Sequence, residues 1–306
     1  MPICEADPWR MQYFEKVFCP AGVRIPTEDF DAYEWNPAHH WVYNKLLIAE
    51  SQGIRCAPHG VTPRSFPVFS KPLINLRGMG AGSRVLRSLA DYEEHESGGH
   101  FWMTLLTGKH VSSDIAIEQG APVWFRHAKG IPSGAGTFDY WIVEADPDAE
   151  LERYCGDWLA RNLAGYTGMV NLETIGGYII EVHLRFSDQW PDLYGEQWLE
   201  ALVRLYAERK WVWFDAGNVR TGYSVVLFAP HGVEYVHPAS EVIDALKRTT
   251  GVTSIQITFH AHRAAASHSM PPGGFRVAIV NCWDLEAGRR VRAQLAQVFG
   301  LAESRP

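Results

Sequence analysis

The sequence has few cysteines, and none of them stands in a paired motif. Five cysteines occur among 306 residues, an odd number, and no two of them have the C-x-x-C spacing. Small secreted scaffolds use even numbers of cysteines, so a disulfide framework is excluded and a reducing compartment is favoured. The cysteines are Cys4, Cys19, Cys56, Cys155 and Cys282.

Long apolar segments and an excess of positive charge are also lacking, and we expect no targeting leader. No uninterrupted apolar run approaches the roughly 18–20 residues of a membrane span. The first residues, MPICEADPWRM, do not place an apolar core after a basic segment. A net charge of −7 argues against general nucleic-acid binding. We therefore expect a cytoplasmic protein whose partners include neither nucleic acid nor a membrane; its oligomeric state stays open.

Apolar and aromatic residues are abundant, at 46% and 12% of the chain, which is typical of a well-packed globular protein. Strand-like and helix-like patterns alternate irregularly, so the predicted fold class is α+β (mixed α/β) rather than a regular doubly wound sheet. The predicted helices cover 44–54, 148–163, 196–210 and 284–300, the last with Asp284 as its N-cap. The predicted strands lie in 67–74, 102–106, 107–127, 167–186, 222–230, 253–262 and 275–282.

Charged residues interrupt both strand-like runs of TGMVNLETIGGYIIEVHLRF (167–186). Because side chains alternate between the faces of a strand, Asn171 and Glu173 share one face of the first run. Glu181, His183 and Arg185 share one face of the second. A two-residue Gly-Gly turn would set the two polar groups on opposite faces, whereas a three-residue loop would pair Glu173 with Glu181. Only the three-residue loop gives one clean apolar face, so we predict that loop.

The predicted register places two carboxylates opposite each other. Like charges in that position are destabilising unless a cation lies between them. Mg²⁺ prefers oxygen ligands and typically takes one or two carboxylates together with phosphates. Arg185 on the same face suits phosphate binding. The hairpin therefore indicates a metal and phosphate site, with one alternative, namely an Arg–Glu network that caps a solvated sheet face.

In these residues the chain resembles the ATP-grasp superfamily. The superfamily motif N-x-E, a short turn and E-x-N-x-R stands here as NLE (171–173) and EVHLR (181–185). Upstream, Lys45 and Lys71 are similar to the two nucleotide-contacting lysines, and the Gly-rich loop RGMGAGS (77–83) follows Lys71. The stretch from Thr104 to Gly120 resembles the hinge strand and the strand pair after it. The resemblance spans about residues 41–210 and depends on the order and spacing of motifs that are individually weak.

The resemblance implies an ATP-grasp fold, in which two α+β subdomains clasp a nucleotide, followed by a C-terminal α/β extension. It divides the chain into a short N-terminal segment (1–44), an ATP-grasp core (45–210) and a C-terminal strand-and-helix subdomain (211–306). The implied cofactors are ATP and Mg²⁺. The implied nucleotide contacts are Lys45, Lys71, Gly80, Ser83, Thr104 and Leu106, the implied metal ligands are Glu173, Glu181 and His183, and the implied catalytic residues are Arg185 and Arg126.

The activity that the resemblance implies is a Mg-ATP-dependent ligase, which activates a small carboxylate as an acyl phosphate and joins it to an amine. Three features depart from the superfamily pattern. His183 stands where Asn is usual, Thr104 stands where a hinge Glu is common, and 44 residues precede Lys45 where a full α/β domain is usual. The short N-terminal region motivates an alternative, a kinase that phosphorylates a small molecule. The two substitutions motivate another, a non-catalytic nucleotide-binding protein; the acid and the amine stay open.

Three further features each have two interpretations. Arg126 is either a phosphate- or carboxylate-binding residue or the solvated end of a strand. The segment SDQWPDLYG (187–195) is either a substrate loop or the capping region of a helix. His260 and His262 are spaced like metal ligands on one face of a strand, but no third ligand is evident, so loop histidines are the simpler interpretation.

Overall fold

The computed structural model describes residue 3, residues 8–213 and residues 219–301. The helices are α1 (Pro8–Phe14), α2 (Asp29–Trp35), α3 (Lys45–Ser51), α4 (Leu89–His95), α5 (Ala149–Asn162), α6 (Trp198–Glu208), α7 (Ser240–Lys247) and α8 (Leu285–Val298). The strands are β1 (Cys56–Pro58), β2 (Val68–Pro72), β3 (Arg84–Leu86), β4 (His100–Thr104), β5 (His110–Glu118), β6 (Ala121–Gly134), β7 (Thr137–Val143), β8 (Gly168–Ile175), β9 (Tyr178–His183), β10 (Gly222–Ala229), β11 (Val252–Ile257) and β12 (Phe275–Cys282). Short 3-10 helices occupy His40–Tyr43, Pro191–Leu193 and Ala265–Ser267.

The chain forms two compact units, and both are discontinuous in sequence. The central unit consists of Pro26–Phe125 and Asp148–Phe186. The terminal unit consists of Met1–Ile25, Arg126–Pro147 and Ser187–Pro306. The division into 1–44, 45–210 and 211–306 follows consecutive segments instead and stays a prediction.

The central unit contains two antiparallel arrangements of strands. One sheet has the order β1-β4-β2-β3. In the other, β8 lies between β5 and β9 and pairs with both. The apolar faces of β8 and β9 pack, through residues such as Leu172 and Val182, against Trp158 and Leu159 of α5. Helices and antiparallel sheets therefore share one core, and the predicted α+β class is confirmed.

The terminal unit is built on the antiparallel neighbours β7, β10, β12 and β11. The first residues of β6 belong to the central unit. Its later residues belong to the terminal unit, and it is these that pair with β7. Val291 and Leu295 of α8 belong to the hydrophobic cluster that β10 and β12 form. Asp284 caps α8 by accepting a hydrogen bond from the backbone N–H of Ala287, as the sequence predicts.

The polar register of the β8–β9 hairpin is the predicted one, but the predicted loop is wrong. Glu173 pairs with Glu181, while Ile175 pairs with Tyr178 across a two-residue Gly176-Gly177 turn. Both glycines have positive φ, at 58° and 86°, as the favoured two-residue hairpin turns require. The extra residue that we placed in the loop lies instead in β9, where the register shifts between the turn and the carboxylates.

The register shift is a bulge at Ile180. Because of it, Ile179 rather than Ile180 joins the hydrophobic cluster of the central unit. The bulge reverses the alternation of side chains between the two faces of β9, so residues before it and residues from Glu181 onward follow opposite patterns. The backbone of Ile180 is left facing the site that is described below.

We predict that Gly176→Ala destabilises the protein more than Gly177→Ala does. A Cβ at Gly176 would lie 2.4 Å from the carbonyl oxygen of Thr107, whereas a Cβ at Gly177 would have no atom within 4 Å. Both variants bear the strain of a positive φ, of about 1–3 kcal/mol, but only the first adds a backbone clash. Urea unfolding measures the difference in the free energy of unfolding. Equal losses in the two variants would show that the turn does not lie against Thr107.

Candidate functional site

The candidate site lies on the polar face of the paired strands β8 and β9. Glu173 and Glu181 are direct cross-strand partners. Asn171 and His183 are also partners, two residues further along each strand and on the same face. Side chains of such partners lie within contact distance of each other. The register therefore concentrates two carboxylates, an amide and an imidazole on one face of the central unit.

Strand β5 extends this polar face. Ser112 is the cross-strand partner of Glu173, and Asp114 is the partner of Asn171. The amide of Asn171 donates hydrogen bonds to Oδ1 of Asp114 at 2.6 Å and to Oγ of Ser112 at 2.9 Å. These bonds hold the amide in place beside the carboxylate pair.

Two buried lysines supply positive charge to Glu181. Lys45 Nζ lies 2.6 Å from Glu181 Oε1, and Lys71 Nζ lies 4.0 Å from the same oxygen. Lys71 is 2% exposed and also donates a hydrogen bond to the carbonyl oxygen of Ile180 at 2.8 Å. The bulge in β9 thus provides a backbone acceptor for this ammonium group.

Local structure explains how each lysine reaches the carboxylate. Asn44 caps α3 by accepting hydrogen bonds from the backbone N–H groups of Leu46 and Leu47, so Lys45 becomes the first residue of the helix. Lys71 lies on β2 with its ammonium 5.9 Å from the ring centroid of Phe101. The helix start and the strand each fix one lysine.

The side chain of His110 is a hydrogen-bond partner of Glu173. His110 Nε2, at the start of β5, donates to Glu173 Oε2 at 3.1 Å. Burial raises the pKa of Glu173, but the hydrogen bond from His110 and the charges around the carboxylate, that of Lys45 among them, outweigh burial and lower the pKa to about 2. Glu173 is therefore ionised at neutral pH.

The pKa values of Glu181 and Lys71 are both lowered, but for different reasons. Burial raises the pKa of Glu181, but the charges of Lys45 and Lys71 outweigh it and the pKa is lowered. Burial lowers the pKa of Lys71 from 10.5 to about 8, against the opposing charge of Glu181. The cluster thus holds ionised carboxylates beside an ammonium group that releases its proton more easily than a solvated lysine.

Asp29, the first residue of α2, connects two of the predicted site residues. His183 Nδ1 lies 3.0 Å from Asp29 Oδ1, and Arg185 Nη2 donates to Asp29 Oδ2 at 3.1 Å. Arg185 Nε lies 2.8 Å from Oδ1, and the hydroxyl of Tyr43 donates to Oδ1 at 3.3 Å. Sequence reasoning missed Asp29 because the first 40 residues show no strong period.

The remaining predicted nucleotide contacts lie in two segments of the central unit. Gly80 and Ser83 belong to the loop between β2 and β3, where the N–H of Ser83 donates to the carbonyl oxygen of Gly80. Thr104 ends β4 and donates its backbone N–H to the carbonyl oxygen of Arg55 at 2.9 Å, and Leu106 follows the strand. Their predicted roles in nucleotide binding stay predictions.

Arg126 lies in the terminal unit and is 6% exposed, so the interpretation as a solvated strand end is wrong. Its Nη2 donates to the backbone carbonyl oxygens of Arg220 at 3.2 Å and Leu193 at 3.5 Å. These bonds fasten two backbone segments together. The predicted contact of Arg126 with phosphate or a carboxylate stays a prediction.

The segment 187–195 does not cap a helix, so that interpretation is wrong. No side-chain cap is formed at Trp190 before the 3-10 helix or at Gln197 before α6. Instead, Asp188 pairs with Arg10 of α1, and the carbonyl oxygen of Gln189 accepts hydrogen bonds from two side chains of the sheet in the terminal unit. The loop is therefore anchored by its own polar contacts.

The two spaced histidines are loop histidines. Strand β11 ends at Ile257, so His260 and His262 do not share a strand face. The backbone N–H of His260 donates to Nε2 of His268 at 3.0 Å. Nδ1 of His268 then donates to the carbonyl oxygen of Ala264, so both ring nitrogens have structural partners.

The carboxylate pair of Glu173 and Glu181 fits Mg²⁺. One or two carboxylates with phosphate oxygens is the ligand set that Mg²⁺ takes, and an imidazole nitrogen suits it less well. Among the residues that the structure describes, no group of three or more His, Cys, Asp or Glu side chains is arranged to hold a metal ion. Glu173 and Glu181 are therefore the residues that would hold Mg²⁺, and the role of His183 as a ligand stays a prediction.

We predict that Lys71 makes stability depend on alkaline pH. The folded protein holds this proton less tightly than the unfolded chain, so the unfolded state binds more protons between pH 8 and 10.5. The contribution of Lys71 to the free energy of unfolding should therefore rise by about 1–3 kcal/mol across that window. Urea unfolding of Lys71→Met should lose this rise, and Lys109→Met, at an exposed position, should keep it. A rise retained by Lys71→Met would contradict the assignment.

Comparison with known proteins gives matches among solved structures alone. No family model matches the chain, and no curated protein matches it by sequence. The structure of N5-carboxyaminoimidazole ribonucleotide synthetase from Thermus thermophilus superposes with a TM-score of 0.60 at 14% identity, covering 97% of this chain and 86% of that one. Phosphoribosylamine–glycine ligase from Thermotoga maritima superposes with a TM-score of 0.57 at 15% identity, covering 84% of this chain and 77% of that one. L-amino acid ligase from Bacillus licheniformis superposes with a TM-score of 0.55 at 14% identity, covering 87% of this chain and 72% of that one.

In the part of the chain that the structure describes, no helix is both long and apolar enough to cross a membrane.

At these low identities the similarity to solved structures concerns the fold. It agrees with the fold that the order of motifs over residues 41–210 implies. The chain has the ATP-grasp fold.

Proposed function

We propose that the protein is a Mg-ATP-dependent ligase that activates a small carboxylate as an acyl phosphate and joins it to an amine. The observation that supports this most strongly is the cluster of two facing carboxylates and two buried lysines on an ATP-grasp fold. Three of the similar structures carry ligase or synthetase names, which also supports the proposal.

Each member of the cluster has a role in this proposal. Glu173 and Glu181 would hold Mg²⁺, which when bound neutralises phosphate charge. Lys45 would exchange its contact with Glu181 for a phosphate oxygen, and Lys71 would bind phosphate from its buried position on β2. Arg185 would steady the phosphoryl group that is transferred. Charges interact more strongly in a buried site than in bulk water. Groups that are already held in place can therefore stabilise the charge that develops during the reaction.

The chemistry asks for positioning and charge neutralisation rather than for a covalent nucleophile of the protein. A carboxylate oxygen of the substrate attacks the γ-phosphorus, ADP leaves and an acyl phosphate forms. The amine then attacks the acyl carbon, inorganic phosphate leaves with the electrons of its bond to that carbon, and the proton lost by the amine passes to the departing phosphate. The cysteines Cys155 and Cys282 are buried and have raised pKa values because of that burial, so neither is suited to act as a nucleophile.

We predict that ATP with Mg²⁺ raises the melting temperature by about 5–8 °C at 100 times the dissociation constant. Glu181→Gln should remove most of this gain, since it deletes one carboxylate of the pair and leaves Lys45 without its ion-pair partner. The comparison uses the shift on adding ligand, because the variant also changes the stability of the free protein. Glu50→Gln, at an exposed position on α3, is the matched control and should keep the full shift. Absence of a shift in the wild type would refute nucleotide binding.

A product assay decides among the activities that share this site. Incubation with Mg-ATP and panels of carboxylates and amines should yield ADP, inorganic phosphate and a condensed product. A stable phosphorylated product would identify a kinase instead. Nucleotide binding with no turnover of any panel member would favour a non-catalytic nucleotide-binding protein.

A further inference from the structure

Asp29 is a buried carboxylate that the proposed function does not use. The residue is 3% exposed, and its oxygens contact His183, Arg185 and Tyr43. Burying a carboxylate without a partner is costly, and these contacts offset that cost. Two of the three partners are residues of the candidate site, which gives Asp29 a further role.

The contact with Asp29 determines which ring nitrogen of His183 carries a proton. Nδ1 lies 3.0 Å from Oδ1 and 3.1 Å from Oδ2 of Asp29. Both oxygens of Asp29 lie against the guanidinium of Arg185, with Oδ1 near Nε and Oδ2 near Nη2, which is the arrangement of an ionised carboxylate. An ionised carboxylate only accepts hydrogen bonds, so Nδ1 must be the donor.

The opposite nitrogen of His183 is then directed at the carboxylate pair. Nε2 lies 3.7 Å from Glu181 Oε2 and 4.0 Å from Glu173 Oε1. Where a histidine acts at a metal or phosphate site, the partner of its other nitrogen commonly fixes the orientation of the ring. Asp29 stands in that relation to His183.

The same carboxylate holds the guanidinium of Arg185 in one plane. Arg185 contacts it through Nε at 2.8 Å and Nη2 at 3.1 Å, while Nη1 donates to the carbonyl oxygen of Phe186 at 3.2 Å. A planar guanidinium that contacts one carboxylate through two nitrogens has a defined orientation. Asp29 therefore constrains both an imidazole and a guanidinium on the polar face.

We propose that Asp29 is a positioning residue, which fixes the Nδ1-protonated form of His183 and the plane of Arg185 so that both face a bound nucleotide in one geometry. The part of this inference that concerns the nucleotide rests on the proposed function. The part that concerns His183 and Arg185 rests on the contacts alone. The two parts are therefore tested separately.

The protonation site of His183 is measured first, on wild-type protein labelled with ¹⁵N-histidine. Two-bond ¹H–¹⁵N correlation spectra distinguish the two neutral forms of the ring, and the signal that disappears in His183→Asn assigns the residue. The wild type should show the proton on Nδ1. In Asp29→Asn the amide can donate to Nδ1, so the proton should move largely to Nε2. Asp31→Asn, the same change on the same helix at a half-buried position, should leave the wild-type spectrum unchanged.

Nucleotide discrimination is measured second, by calorimetry with Mg-ADP and with a non-hydrolysable ATP analogue. Because Arg185 is assigned to the transferred phosphoryl group, Asp29→Asn should weaken binding of the analogue by about tenfold, the loss expected for one charge-assisted hydrogen bond. Binding of ADP should change much less. A purely structural role would weaken both ligands alike, and Asp31→Asn should weaken neither.

Three results would overturn the proposal. They are a wild-type His183 with its proton on Nε2, an unchanged protonation site in Asp29→Asn, and equal losses of ADP and analogue affinity in Asp29→Asn. If Asp29→Asn does not fold, the wild-type spectrum still decides on the protonation site. If the wild type binds neither nucleotide, the proposed function fails, while the spectrum still tests the action of Asp29 on His183.

Discussion

The like charges of Glu173 and Glu181, which face each other on adjacent antiparallel strands, constrain the rest of the central unit. The protein offsets their repulsion with positive charge and hydrogen bonds from separate elements. Lys45 and Lys71 serve Glu181, and His110 serves Glu173. Lys45 and Lys71 are buried, so removal of Glu181 would leave buried charges without this partner. The contacts join the helix α3 and the strands β2, β5, β8 and β9 into one polar cluster. In the proposed function, Mg²⁺ takes the place of Lys45 beside Glu181, and Lys45 moves to a phosphate oxygen.

A second polar centre supports the first. Asp29 joins His183 and Arg185, and Tyr43 both donates to Asp29 and accepts the backbone N–H of Leu184. Residues 26–44, which precede Lys45, are part of the central unit, and Val42 and Tyr43 lie in its hydrophobic cluster. The polar face and the apolar core of this unit consequently depend on the same short stretch of chain.

The sequence predicts the longer elements and the polar register well, and it fails where distant segments meet. Helical spacing locates α5 and α8, and face counting pairs Glu173 with Glu181 correctly. It cannot separate a three-residue loop from a two-residue turn with a bulge at Ile180, because both shift the alternation by one residue. The partnership of His110 with Glu173 requires the pairing of β5 with β8, which local spacing does not encode. Asp29 lies in a seven-residue helix without a strong period, and tertiary contacts alone give it a role.

The most direct test of the account is a crystal structure with a non-hydrolysable ATP analogue and Mg²⁺. The account predicts a Mg²⁺ about 2.1 Å from oxygens of Glu173 and Glu181, with the phosphates completing its ligands. Lys45 should have moved from Glu181 to a phosphate oxygen. Phosphates bound elsewhere in the protein, with the contact between Lys45 and Glu181 intact, would contradict it.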